Sequence, residues 1–310
     1  MTRENSVVIL GIFVADLAFR ANRLPGIGET IAGSGFKMGP GGKGSNQAVA
    51  AARVGAAVTF VSKIGRDDFG AVALATWQRE GIIGRVRQVV EHPTGAAFIY
   101  VNDRTGENAI IVVPGAGGAI TVGDVDDAAD VIRDAAVFAT QLEQPVAAAR
   151  RGLEIARTAG VITIFNTAPA ERFDDELYGL CDYVTPNESE ATTLTGIPVA
   201  SPDDARKAGD VFLDKGAGAA VITLGEVGAL LHTRSDSTLI PAFSVGPIVE
   251  TTGAGDAFNG GFAAALGRGA TAREAARFGC AVAGISVTRA GTAPSMPKLA
   301  EVEALLARSD

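Results

Sequence analysis

The sequence predicts an α/β sandwich of three layers, α/β/α, with a mostly parallel central sheet and a small β-sheet lid. Three observations carry this. Short runs rich in Val and Ile alternate with Ala-rich stretches of helical spacing over most of the 310 residues, the order expected of strands joined by helical crossovers. The runs are apolar throughout rather than at every second residue, which fits strands buried on both faces. Two regions, 17–38 and 94–113, interrupt the alternation with strand-like sequence and no helix between. No internal repeat, low-complexity tract or long linker divides the chain, so one domain over 1–310 with a lid attached is expected.

Taken in order, residues 7–14 read as the first buried strand. The apolar stretch up to Ala15 lacks the small-residue cleavage site of a secretory leader and stops at Asp16. Residues 17–38 follow as lid strands, and a glycine-rich run leads into a helix over 46–54. Further strands are expected at 58–63, 136–140, 161–166, 183–185 and 219–224, with helices at 67–80, 146–159, 203–215 and 255–266. Gly55, Gly81, Gly160 and Gly216 stand where helices close in a left-handed residue. Within the second lid region, 95–102 and 108–113 form a hairpin around the turn at 103–106.

Composition excludes several function classes. A net charge of -8 argues against a nucleic-acid binder, which needs a basic face to displace counterions. The two cysteines, Cys181 and Cys280, lie far apart and support neither a disulfide framework nor a metal cage, and with only His92 and His232 a histidine zinc site is not expected. Both histidines read as surface or loop residues. No run reaches the 18 or so apolar residues of a membrane span, so a cytoplasmic protein without membrane partners is expected.

Four segments carry chemistry. The run GPGGKGSN at 39–46 opens a helix but is not a Walker A loop, since position 37 is Lys and Lys43 is followed by Gly44. Its backbone, with Lys43 and Asn46, suits a hydroxylated ligand. In ETTGAGDAFNGG at 250–261, Gly253, Ala254 and Gly255 open a helix with exposed amides, an anion site worth about 0.3–1 kcal/mol per charge at an exposed terminus. Asp256 in that first turn is favoured as a carboxylate and can accept a proton from a hydroxyl, although taken alone it is also a helix-capping residue. In TPNESE at 185–190, Asn187 and Glu190 share a helix face and could hold waters around Mg2+, or form a capping box. TLGEVG at 223–228 is a strand and tight glycine turn, open to a nucleotide or to any hairpin.

These segments, with GIFVAD at 11–16, KIGRDDFG at 63–70 and Leu142-Glu143, resemble the ribokinase branch of the PfkB carbohydrate kinase family over nearly the whole chain. The resemblance implies the ribokinase-like sandwich, phosphoryl transfer from ATP to a sugar hydroxymethyl group, D-ribose first among candidates, and a homodimer formed through the lid. It implies Asp16, Gly42, Lys43, Asn46 and Glu143 as sugar contacts, Asp256 as base, and Gly253, Ala254 and Gly255 as anion hole. Asn187, Glu190, Thr223, Gly225 and Gly228 fall by MgATP. A K+ activator would lie at Glu250, Thr252, Ser286, Arg289, Gly291 and Ser295. Three departures stand out: Val14 where ribokinases have Asn, which keeps deoxyribose, fructose and nucleosides open as substrates; Glu250 in place of Asp; and Pro40 before the glycine pair. A non-catalytic sugar-binding protein on the same fold is the alternative from another class.

Overall fold

Strand β1 (Ser6–Leu10) shows how the layers arise, because successive side chains of a strand point to opposite faces. Val7 and Ile9 enter one apolar core, Val8 and Leu10 another. In this computed structural model, which describes residues 4–308, the first core lies under α1 (Lys43–Arg53), α2 (Asp68–Arg79), α8 (Ala254–Gly267), α9 (Ala272–Ser286) and α10 (Leu299–Leu306). The second lies under α3 (Val122–Asp126), α4 (Ala129–Arg133), α5 (Val146–Thr158), α6 (Glu188–Thr195) and α7 (Pro202–Asp214). Each Phe or Leu fully buried in these cores contributes about 1.5–3 kcal/mol. Residues 1–3 and 309–310 of the expected domain lie outside the described residues.

The central sheet adds β4 (Ala57–Gly65), β5 (Ile83–Val89), β8 (Val137–Thr140), β9 (Ile162–Phe165), β10 (Tyr183–Val184), β11 (Ala219–Thr223), β12 (Gly228–His232) and β13 (Ser237–Pro241). Its order is β13-β12-β11-β10-β9-β8-β1-β4-β5. Pairing is parallel from β11 to β5, and antiparallel at β11–β12 and β12–β13. The lid sheet has the order β3-β2-β6-β7, with β2 (Val14–Ala21), β3 (Gly35–Gly41), β6 (Thr94–Asn102) and β7 (Asn108–Gly115). β2 pairs parallel with β6, and β6 and β7 form the expected hairpin.

Several expectations change. The strand expected at 7–14 is two strands in two sheets. β1 ends at Leu10 because Gly11 passes against the first turn of α1, where an added Cβ would stand 2.8 Å from Gly44 Cα, and Val14 already belongs to the lid. Helix α1 begins at Lys43, three residues before the expected start. His232 is not a surface residue: it is 8% exposed, packs against Gly209, and pairs through Nε2 with Asp210 at 2.9 Å. β5, β12, β13, α3, α4, α9 and α10 are additions to the elements read from sequence.

The KIGRDDFG segment ties the lid to the body. Asp67 caps α2 by accepting from the Gly70 amide, and its other oxygen accepts from the amide of Thr94, the first residue of β6, at 2.7 Å. The Thr94 hydroxyl accepts from the Gly65 amide at 2.9 Å. Buried Lys63 donates to the Ala119 carbonyl just past β7 at 2.7 Å and pairs with Asp124. No helix among the described residues is long and apolar enough to cross a membrane.

Candidate active site

The glycine pair before α1 determines where the first site residues stand. Gly42 takes φ of 87° at the N-cap of α1, a conformation glycine adopts without steric cost, and a Cβ there would lie 2.6 Å from the Ile12 carbonyl oxygen. A Cβ on Gly41 would run into the Asp16 carboxylate. Asp16 therefore leans over the pair and, with Lys37, Gly39, Glu250, Thr252 and Gly291, lines a cavity of about 760 Å³ between lid and body. Lys43 donates its amide to Glu143 Oε2 at 2.7 Å. The Thr292 hydroxyl donates to the Pro40 carbonyl at 3.1 Å, which joins β3 to the far wall of this cavity.

Asp256 lies behind that cavity, 6% exposed, in the first turn of α8. Asn46 Nδ2 donates to its Oδ2 at 3.0 Å and Gln47 Nε2 to its Oδ1 at 3.2 Å. Asn46 Oδ1 is buried without a protein partner. Gly253 caps α8 in the left-handed region, with φ of 84°. Of the three amides expected to be open, that of Ala254 is engaged by the Thr251 carbonyl at 3.1 Å, so only Gly253 and Gly255 fit the bare anion hole.

Three carboxylates, Asp256, Glu143 and Glu190, act on one ammonium here, that of Lys43, and Asp16 adds its charge beside Asp256 and Glu143. Burial raises Asp16 to about 6, with Asp256 and Glu250 adding to the effect. Burial raises Glu143 to about 7 against the opposing pull of Lys43, and it also raises Glu190. Burial disfavours the Lys43 ammonium, but Asp256, Glu143 and Glu190 outweigh it and hold that group above the lysine norm. Asp256 itself is raised by burial, with Lys43, Asn46 and Gln47 opposing. That corrects the expectation of a carboxylate favoured in its ionised form by the helix dipole: burial favours the neutral form, and three donor groups from α1 oppose it.

A second cavity of about 710 Å³ reaches α8 at Ala254, Gly255 and Phe258 and is also lined by Asn187, Thr223, Gly225 and Gly228. Gly225 and Gly228 have φ of 52° and 120°, and a Cβ at Gly228 would collide with the Ile240 carbonyl. Asn187 and Glu190 form the capping box of α6: each accepts the other's amide at 2.9 Å. Thr251 and Ile248 line both cavities, so the segment before α8 is their shared wall. A further cavity of about 600 Å³ at the starts of β9, β10 and β11 contains Arg157 and Asp182, which neutralise each other at 2.5 Å, and it holds none of the expected site residues.

The residues expected around a monovalent cation lie on two neighbouring loops. Glu250 Oε2 accepts from the Gly291 amide at 2.7 Å. The hydroxyls of Ser286 and Ser295 donate to the carbonyls of Ala283 and Thr292, each at 2.8 Å, and Arg289 pairs with Glu301. Sequence reasoning missed Gln47 as a partner of Asp256. The available signal was a polar residue inside the otherwise Ala- and Val-rich start of α1. It also missed Cys280, a buried free thiol on the wall of the second cavity, which burial raises to about 12.

The profile of the pfkB family carbohydrate kinases matches residues 4–299. The ribokinase of Haemophilus influenzae is 40% identical over 295 residues, 95% of this chain and 96% of that protein. The deoxyribokinase of Salmonella typhimurium is 35% identical over 306 residues, 98% and 99% of the two chains. The structure of Arabidopsis thaliana ribokinase complexed with ribose and ATP is similar with a TM-score of 0.93 at 31% identity, covering 99% of both chains. With a carboxylate buried in the first turn of a helix whose leading segment walls two cavities, these matches establish that the chain belongs to the pfkB family of carbohydrate kinases and is an ATP-dependent sugar kinase.

Proposed function

We propose that the chain transfers the γ-phosphoryl group of ATP to the primary hydroxyl of D-ribose, giving ribose 5-phosphate and ADP. The observation that carries this reading is the position of Asp256, hydrogen-bonded to Asn46 at 3.0 Å on one side and adjoining Gly255 of the second cavity on the other. Sugar occupies the lid-side cavity. Asp16, Gly42, Lys43, Asn46 and Glu143 receive its hydroxyls, and the buried, partnerless Asn46 Oδ1 accepts one of them. ATP occupies the second cavity along Thr223, Gly225 and Gly228. Asp256 takes the proton of the attacking hydroxyl as the new O–P bond forms and the bond to the ADP oxygen breaks, while the amides of Gly253 and Gly255 neutralise charge on the transferring group.

Mg2+ fits this site as a companion of the nucleotide, supplying charge neutralisation at the phosphates through waters held by Asn187 and Glu190. No group of three or more candidate metal-binding side chains occurs among the described residues. K+ fits between the loops that the Glu250–Gly291 bond joins. The carbonyls of Thr252, Ser286, Arg289, Gly291 and Ser295 are its natural donors, since the Ser286, Ser295 and Arg289 side chains are engaged elsewhere.

A second substrate, 2-deoxy-D-ribose, is favoured by Val14. It sits two residues before Asp16 and so on the same face of β2, 2% exposed, and offers no partner to a sugar hydroxyl. The proposal includes a homodimer through the lid, supported by exposed Phe19, whose ring lies 4.8 Å from that of Phe36 and 5.7 Å from that of Phe98. It also includes a reducing, cytoplasmic setting, which suits two free buried thiols.

Coupled ADP release measured over D-ribose, 2-deoxy-D-ribose, ketohexoses and nucleosides, with and without K+, tests the reading. D-ribose should lead and K+ should raise the rate. A higher kcat/KM on 2-deoxy-D-ribose would select the second substrate, and no turnover on any sugar would refute both.

A further inference from the structure

We infer that Gln47 is a positioning residue for the reaction, presenting a fixed N–H to Asp256 through an amide whose orientation is dictated from the Thr185 backbone. The direction of the network leaves no freedom. The Thr185 carbonyl can only accept, so Asn166 must turn its Nδ2 toward it, at 2.7 Å. Asn166 Oδ1 then faces Gln47 and accepts from its Nε2 at 3.0 Å. Gln47 Oε1 is thereby turned away and accepts from Gln141 Nε2 at 2.6 Å. The second hydrogen on Gln47 Nε2 has Asp256 Oδ1 as its acceptor. All three amides are buried, Gln47 at 1%, Gln141 at 0% and Asn166 at 6% exposure, so no water competes for these bonds.

Two consequences follow for the chemistry. A side-chain amide rotated by half a turn would offer oxygen to the carboxylate and favour its protonated form. The chain from Thr185 forbids that rotation, and Asp256 meets donors on both oxygens. The same Thr185 donates its hydroxyl to Asn259 Oδ1 at 2.6 Å, and Asn259 Nδ2 donates to the Gly255 carbonyl at 2.8 Å. The polarity of the network and the first turn of α8 are therefore set from one residue at the end of β10, which registers the carboxylate against the amides that would meet the phosphoryl group. Lys43 of α1, Asp16 of β2, Glu143 beyond β8 and Glu190 of α6 also face Asp256. The test keeps all of them in place.

The inference rests on Asp256 as the base, and the experiment separates the two. kcat is measured against pH at saturating MgATP and D-ribose, or 2-deoxy-D-ribose if that is the better substrate, for the wild type, Asp256→Asn, Gln47→Glu, Gln47→Leu and Gln141→Leu. Gln47→Glu sets a second carboxylate against the first and should move the acid limb of the profile up by about one pH unit or more. Gln47→Leu should lower kcat about tenfold with sugar KM within about twofold, and Gln141→Leu should act in the same direction by less. Near-normal turnover by Asp256→Asn would remove the base itself. Inactive Asp256→Asn beside Gln47 variants with a wild-type acid limb would overturn the role of Gln47, even if their kcat or thermal midpoint fell. If the Gln47 variants do not fold, Gln141→Leu decides: a wild-type acid limb and kcat there overturn the proposal.

Discussion

The two cavities that share the segment before α8 as a wall carry different charges. On the lid side a wall of glycines and apolar side chains such as Phe36, Ile99 and Ile110 is interrupted by charged groups of both signs, Asp16, Arg20, Lys37 and Glu250, with Lys43, Asn46 and Glu143 behind them. On the other side the charged groups are acidic only, Glu188 and Glu226, among main chain and apolar surface at Gly225, Gly228, Ala242, Val245, Phe258 and Val287. Under the proposed assignment, a ligand rich in hydroxyls meets charged side chains of both signs, which one substitution can retune. Its co-substrate would be accommodated under the same assignment by backbone shape at Gly225 and Gly228, which a single added methyl group can spoil.

The largest effect should come from the group the two halves share. Asp256→Asn should lower kcat by about 10²–10⁴-fold with sugar affinity nearly kept, read by steady-state turnover and by calorimetric titration with sugar. Gly228→Ala probes the backbone-built half. Its Cβ would press on the Ile240 carbonyl at a φ of 120°, so stability should fall by about 1–3 kcal/mol and KM for ATP should rise more than KM for sugar. Equal rises in both would blur the contrast. Val14→Asn probes the side-chain half and should raise the preference for D-ribose over 2-deoxy-D-ribose about tenfold in kcat/KM, the worth of one buried hydrogen bond.

The smallest effect is one of pH. Glu143 is raised from 4.5 to about 7 in the folded chain, so the stability it contributes is whole below its unfolded pKa and is lost as pH rises through about 7. Asp16, raised from 3.8 to about 6, acts in the same sense over a lower window. Urea unfolding of the ligand-free protein should show the wild type losing stability relative to Glu143→Gln between pH 5 and 8. Parallel curves would show that the burial assigned to Glu143 is not felt.

Sequence reached the parts of this molecule whose signal is local. Apolar runs such as 58–63 and 219–224 could only be strands buried on both faces, and α8 announced itself by glycines followed by small apolar residues. The break between β1 and β2 was not visible, because Ile12, Phe13 and Val14 continue the apolar run while the chain changes sheets. β5 was missed because Arg85, Arg87 and Gln88 break any apolar pattern on an edge strand. Gln47 could not be read at all: its partners Gln141, Asn166 and Asp256 lie 94, 119 and 209 residues away, so its meaning exists only once the sandwich has closed.

The parallel pairing of β2 with β6 sets the order in which the molecule can be assembled. A strand cannot lie parallel to its neighbour without a crossover between them. Here that crossover is β3, α1, β4, α2 and β5, much of the first half of the chain. The cover of the lid-side cavity therefore cannot nucleate by itself, nor be grafted elsewhere as a short insert. Its central pair has high contact order and must be completed late, on a body that already holds its shape.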